Sequence, residues 1–214
     1  MKSPTDVERI EAAAARLEDG ERFAEAIAQF DRLNDEDPKK VVHEGSEVGY
    51  ELYFSQLLFA KIDSLDEPAS EALLLASRCQ HLCRWKLPRA EYPMTREGYL
   101  KWRSELKRYH AATARAVLEP LGYDAPTLAA VETINLKKGL RTNPDSQAME
   151  DALCLVFLES QFEDFRRKTS EEKMIRILQK TWNKMSEPGR EAALKLELGS
   201  EASRLVKAAL SGGS

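Results

Sequence analysis

Between residues 78 and 103 the chain reads RCQHLCRWKLPRAEYPMTREGYLKWR. Five arginines (Arg78, Arg84, Arg89, Arg96, Arg103) and four large aromatics (Trp85, Tyr92, Tyr99, Trp102) share this stretch with His81. Arginine offers forked N–H donors that match phosphate and carboxylate, and it stacks on ring faces. The chemistry such a stretch can do is recognition of a phosphorylated ligand, with Trp85, Tyr99 or Trp102 stacking a base. Arg78, Gln80, Arg84, Trp85, Arg96, Tyr99 and Arg103 are therefore the candidate substrate-binding residues.

Ionisable residues on otherwise apolar helices supply the reactive candidates, because burying such groups unpaired costs several kcal/mol. In ASEALLLASRCQHLCRW, positions 74, 78, 81 and 85 are spaced to share a helix face. In SQAMEDALCLVFLESQF, the run 152–158 is apolar all round, and Gln147, Glu150, Asp151 and Cys154 line one side of its entry turns. Glu47 and Glu51 are four apart, and Arg96, Arg103 and His110 recur every seven residues, one stripe of a helix.

Glu51, His81, His110, Glu150 and Asp151 offer oxygen and imidazole ligands to a divalent ion such as Mn, Fe, Zn or Mg. Such an ion would activate water and polarise a phosphoryl oxygen. His81, Glu150 and Asp151 are the catalytic candidates; without metal, Glu150 serves as general base and His81 as acid. The structural alternative is that Glu150 and Asp151 pair with Arg78, Arg84 or Arg103 as bridges between helices. His81 is then a core histidine bonded to a carboxylate. The functional alternative makes the arginine–aromatic stretch one wall of an anion-binding cleft, opposite the acidic turn at 147–151.

Two further patterns point elsewhere. Cys79-x-His81-x-Cys83 resembles a metal ligand set, but on a helix residues two apart diverge by about 200°, so the cysteines read as core. Lys184-Met185-Ser186 resembles the KMS loop of class I aminoacyl-tRNA synthetases. The parallel sheet and the His-x-Gly-His partner of that loop are not visible, and Ser186 suits a helix cap.

The elements that must position these residues follow a period of 3.6, with no convincing hairpin. Helices are expected over about 4–18, 20–34, 47–62, 68–86, 96–119, 126–138, 144–167, 170–185, 188–198 and 200–210, with loops at 35–47 and 87–95. Pro120 and Gly122 stop the long helix, and Lys137, Lys138 and Gly139 end the next. Asn143-Pro144 starts another, and Thr169 to Glu172 has capping-box spacing. The expectation is an all-α, single compact domain of eight to ten helices over 1–210. Within it, 1–34 forms an N-terminal helical pair, 47–167 the core with the candidate site, and 168–210 the C-terminal helices. The tail 211–214 is expected to be flexible.

Composition fits a helix-rich protein of 214 residues: 43 % hydrophobic, 32 % charged, 10 Gly and 9 Pro. With 36 acidic against 32 basic residues the net charge is −4. There is no global attraction to nucleic acid or acidic membrane, and any anion site must be a local cluster. The N-terminus lacks the apolar core of a signal peptide, and no apolar run is long enough to span a bilayer. Three cysteines without framework spacing fit a reducing, cytoplasmic setting.

The linked blocks QHLCRW, PR, YP, GYLKWR, QAMEDALCLVFLE and EEKMIRILQKTWNKMS resemble the family of domain of unknown function 4202, from about residue 25 onward. Members are sometimes labelled glutamyl-tRNA synthetase, a label the KMS tripeptide would explain. The resemblance implies an all-α fold and no particular activity. More distantly, LLLASRCQHLCRW resembles the helix carrying the His-Asp pair of the HD superfamily, all-helical metal-dependent phosphohydrolases. Glu47 or Glu51 lies about 30 residues upstream of it and Glu150-Asp151 about 70 downstream. Asp151 would match that superfamily's last aspartate. Gln80 and His81 stand where its His-Asp pair belongs, and a glutamate where its first histidine belongs, so the other ligands do not carry over.

Two functions are expected from these residues. One is a metal-dependent, HD-like hydrolase of a phosphorylated small molecule or nucleotide. The other is a non-catalytic nucleotide- or RNA-binding module that has lost its metal, with nucleic acid the less favoured partner.

Overall fold

The structure, a computed structural model, describes residues 4–43, 45–65 and 68–211. The described residues form eleven α-helices, three short 3-10 or π-helical turns and one two-stranded sheet, so the chain is all-α. Its contacts cluster in two compact units, Met1–Gly139 and Leu140–Ser214. The contacts divide after Gly139, which has φ +67°. The tail 211–214 lies outside the described residues apart from the backbone of Ser211. Among the described residues, no helix is long and apolar enough to cross a membrane.

The first unit holds α1 (Asp6–Ala14), α2 (Gly20–Asp35), α3 (Tyr50–Asp63), α4 (Glu71–Cys79), α5 (Arg96–Leu118) and α6 (Ala125–Asn135). Helix α4, EALLLASRC, is apolar on nearly every side and buried from Ala72 to Cys79. It packs against α2, α3, α5 and α6 and is the axis of the unit.

Residues 35–47, expected as loop, contain a hairpin: β1 (Lys40–His43) pairs antiparallel with β2 (Ser46–Gly49), and Val41 opposes Val48. Two residues separate the strands, and Gly45 at φ +82° gives the left-handed backbone such a turn needs. Glu47 therefore lies in a strand and shares no helix face with Glu51. At Gly49 a Cβ would stand 2.6 Å from the Asn34 carbonyl oxygen, so only glycine lets the hairpin join α3 this close to α2.

The expected helix 68–86 ends at Cys79. The chain turns through Gln80–Cys83, where Cys83 adopts φ +53°, and continues as a single 3-10 turn, Arg84–Lys86. Positions 81 and 85 consequently do not continue the face of Leu74 and Arg78.

The second unit holds α7 (Pro144–Val156), a π-helical turn (Phe157–Gln161), α8 (Phe162–Arg166), α9 (Glu171–Lys184), α10 (Glu187–Leu194) and α11 (Ser200–Ser211). Asn143 caps α7 with Pro144 at its first turn, and Ser186 caps α10, both as their residue types dictate. The expected capping box at 169–172 is absent: Ser170 occupies the cap position without a side-chain bond. A core of Leu155, Leu158, Phe162, Met174, Leu178 and Leu205 holds these helices together.

Candidate functional site

In the first unit, the N-terminus of α3, the turn after α4, the middle of α5 and the end of α6 bring a set of ionisable side chains together. Glu51, in the first turn of α3, is 5 % exposed. His81 Nδ1 stands 3.4 Å from Glu51 Oε2, and Arg84 Nε 3.8 Å from Oε1. Neither approach makes a hydrogen bond to Oε2, which is buried without a protein donor. The His81 ring stacks on Phe54 at 4.5 Å and lies 5.9 Å from the ring of His110.

His110 Nδ1 donates to the Leu82 carbonyl at 2.8 Å. A carbonyl only accepts, so the proton resides on Nδ1 and the buried Nε2 is a bare acceptor without a protein partner. Gln80, 3 % exposed in the turn before His81, likewise has a buried Oε1 without a donor.

These environments set the protonation states. Burial pushes the Glu51 carboxyl up to about 7, against the opposing pull of Arg84, His110 and Lys39. Burial, then the positive charges of Arg84, Lys137 and Arg103, holds His81 well below the ordinary histidine range, although its side chain keeps 23 % of its exposure. Burial and His81 lower His110 to about 3. At neutral pH both imidazoles are neutral, and Glu51 is poised between its two forms.

Arg84 lies over the ring of Trp102, 5.1 Å from its centroid, with Arg89 at 6.0 Å. Trp102 Nε1 donates to the Leu87 carbonyl at 2.9 Å. One turn earlier on α5, Tyr99 is 45 % exposed, its ring 5.8 Å from that of Trp102. Tyr99, Arg103 and Lys107, four apart, form a stripe beside Leu100, Ser104 and Arg108. With Leu136 and Lys138 from the end of α6 they line an open hollow of about 600 Å³. Its lining carries four cations and no carboxylate. Lys137, at φ +56°, bends the chain where it leaves α6 toward this region.

Asn34, which sequence reasoning passed over, holds the turn that presents His81 and Arg84. Buried on α2, its Nδ2 donates to the Arg78 carbonyl at 3.1 Å and its Oδ1 accepts from the Cys83 amide at 3.4 Å. Lys107, Arg108 and Lys138 were missed as well. Their signal was the four-residue spacing 99–103–107 and the cationic end of α6.

Several candidates stand elsewhere. Arg78 is fully buried, and its guanidinium donates to both Asp31 oxygens and both Asp6 oxygens at 2.5–2.8 Å. Trp85 packs near Lys86, and Arg96 is exposed at the start of α5; no contact ties either to the cluster among the described residues. Glu150 and Asp151 belong to the second unit. There Glu150 pairs with Lys184 at 3.2 Å. Asp151 accepts from the Ser186 amide at 2.9 Å, the Ser186 hydroxyl at 2.5 Å and Gln147 Nε2 at 3.0 Å. Its carboxylate tethers the cap of α10, and Gly189 sits so close that a Cβ would meet its Cγ at 2.6 Å. Those contacts give Asp151 a structural duty.

The expected metal donors do not fit an ion as they stand. Among the described residues no three His, Cys, Asp or Glu side chains are grouped to hold one. His110 offers only Nε2, and Asp151 is occupied by Ser186. Cys79 and Cys83 are core thiols, as expected, though not for the helical reason: Cys79 Sγ accepts from Asn135 Nδ2, and Cys83 Sγ lies against the Leu33 carbonyl.

Compared with protein-family models, the chain matches one described as Domain of unknown function (DUF4202) over residues 24–206. No curated protein matches it, and no solved structure does.

Proposed function

We propose that this chain, which belongs to the domain of unknown function 4202 family, binds a phosphorylated small molecule on its first unit. Arg84, Arg103 and Lys138 engage the phosphate. The observation that carries this reading is a local excess of positive charge. Arg84, Arg103 and Lys137 all act on His81, while the carboxyl beside it, Glu51, holds its proton up to about 7. Cations gathered in a partly desolvated site repel one another, and an anionic ligand removes that cost. A net charge of −4 over the whole chain is consistent with a small ligand rather than a long nucleic acid. The three cysteines are buried thiols, which supports a cytoplasmic setting.

The test is calorimetric titration of the full chain with inorganic phosphate and pyrophosphate. Arg103→Ala is expected to weaken binding by about ten-fold, the worth of one charge-assisted hydrogen bond, with an unchanged melting profile. Equal affinity in the variant, or no binding by the wild type, removes the reading.

A second reading, hydrolysis, is favoured by the Glu51–His81 pair. With Nδ1 facing the Glu51 carboxyl, ring geometry turns the other nitrogen of His81 away from it, and in the tautomer that carries its proton on Nδ1 that nitrogen is unprotonated. There it takes a proton from water as the water oxygen bonds to phosphorus. The phosphorus–oxygen ester bond breaks, and the leaving oxygen receives the proton from His81. Ionised Glu51 steadies the transient imidazolium, in the manner of carboxylate–imidazole pairs. Phosphate release from a phosphomonoester is then expected to rise with pH through about 7, where Glu51 ionises. His81→Ala should abolish the release while leaving phosphate binding measurable; turnover that survives in the variant would refute it. The HD-like, metal-dependent version of this hydrolysis lacks a fitting donor set among the described residues.

A further inference from the structure

We infer that the ligand is a nucleoside polyphosphate, its phosphates held between Arg84 and Lys138 and its base laid on Tyr99; this rests on the phosphate-binding reading above. The cations of the site come in two groups. Arg84, 26 % exposed, belongs to the inner group with Lys137 around His81. Lys107, Arg108 and Lys138 belong to the hollow. Arg103 joins the groups, since it lines the hollow and also acts on His81 and Arg84. A single phosphate meets one group; a chain of phosphates meets both.

The hollow also holds more than phosphate needs. At about 600 Å³ it falls within the range of sites for whole small molecules. Beside its cations it presents Tyr99, Leu100 and Leu136, apolar surface that gives nothing to inorganic phosphate. Tyr99 is the aromatic suited to stack a base there. Its ring is 45 % exposed, whereas Trp102 is buried beneath Arg84 and Arg89. One stacking platform accommodates one base. Proteins that track a single strand use a succession of aromatics along a cationic groove, and α5 offers this hollow one ring, which favours a mononucleotide over an RNA strand.

The experiment is calorimetry on the full chain with pyrophosphate, ADP and a short single-stranded ribo-oligonucleotide, using wild type, Tyr99→Ala and Tyr99→Phe. ADP is expected to bind about ten-fold more tightly than pyrophosphate, the value of one base–aromatic stack. Tyr99→Ala should erase that margin while pyrophosphate affinity stays as it was, and Tyr99→Phe should keep it. Equal affinities for ADP and pyrophosphate in the wild type, or a margin indifferent to Tyr99→Ala, overturn the inference and leave the phosphate-binding reading standing. Tighter binding of the oligonucleotide than of ADP overturns it in favour of a strand. Failure of pyrophosphate and ADP alike removes the underlying reading as well.

Discussion

Arg78→Ala is expected to destabilise the first unit by roughly 3–5 kcal/mol, the cost of leaving a buried ionic network without one partner. The guanidinium is fully buried and is met by two carboxylates, Asp6 from α1 and Asp31 from α2. Burial alone would lower its pKa, yet the hydrogen bonds to Asp6 and Asp31 outweigh burial and raise it above the ordinary arginine value. Arg78 thus fastens the two N-terminal helices to α4. A melting temperature lower by on the order of 10 °C, in calorimetry or circular dichroism, is the expected readout. Arg78→Lys should recover little, because one ammonium cannot reproduce a fork that serves both carboxylates. If Arg78→Ala instead melts like wild type and loses only phosphate affinity, the residue belongs to the ligand after all.

Arg78 also shows where sequence reasoning reached its limit. Helical periodicity reports that a residue faces the interior, and Arg78 does. It says nothing of which distant carboxylate arrives there, and Asp6 and Asp31 lie 72 and 47 positions away. Helix existence was legible because stretches such as EALLLASRC and ALCLVFL are apolar in ways only buried helices accommodate. Caps that depend on one local bond, at Asn143 and Ser186, were legible too.

Events decided by a few kcal/mol of tertiary context were not. Helix α4 stops at Cys79 because Asn34 pins the Arg78 carbonyl and the Cys83 amide, allowing the left-handed turn that swings Arg84 to Glu51. Of the candidate set, Glu51, His81, Arg84, Tyr99, Arg103 and His110 do gather on the first unit. Glu150 and Asp151 drew notice for being acidic in an apolar run, and their partners turn out to be the neighbouring groups of Lys184 and Ser186. An acid buried for a structural bond to a distant helix looks the same in sequence as one buried for catalysis.

Glu51→Gln is expected to be stabilising at alkaline pH. The folded carboxyl titrates near 7 against an ordinary value of 4.5. Below about 4.5 it is protonated in both folded and unfolded chains, and the substitution costs little. Between 4.5 and 7 the unfolded chain releases the proton while the folded chain keeps it, so wild-type stability falls as pH rises. Above 7 the folded protein carries a buried anion at a cost on the order of 3 kcal/mol. Glutamine keeps the shape and never ionises. The histidines act in the opposite sense: their folded pKa values are lowered, so the stability they contribute is present above about 6.5 and lost toward acid. That part is largely common to both proteins, since Glu51 is the smallest of the influences acting on His110. Denaturant unfolding at pH 5 and pH 8 should show the variant's advantage growing with pH toward that figure. A constant difference would mean that Arg84 and Lys39 keep Glu51 ionised throughout. The ligand reports the same charge: an anion bound beside Glu51 should bind wild type progressively worse than Glu51→Gln above pH 7, as the carboxylate forms and repels it.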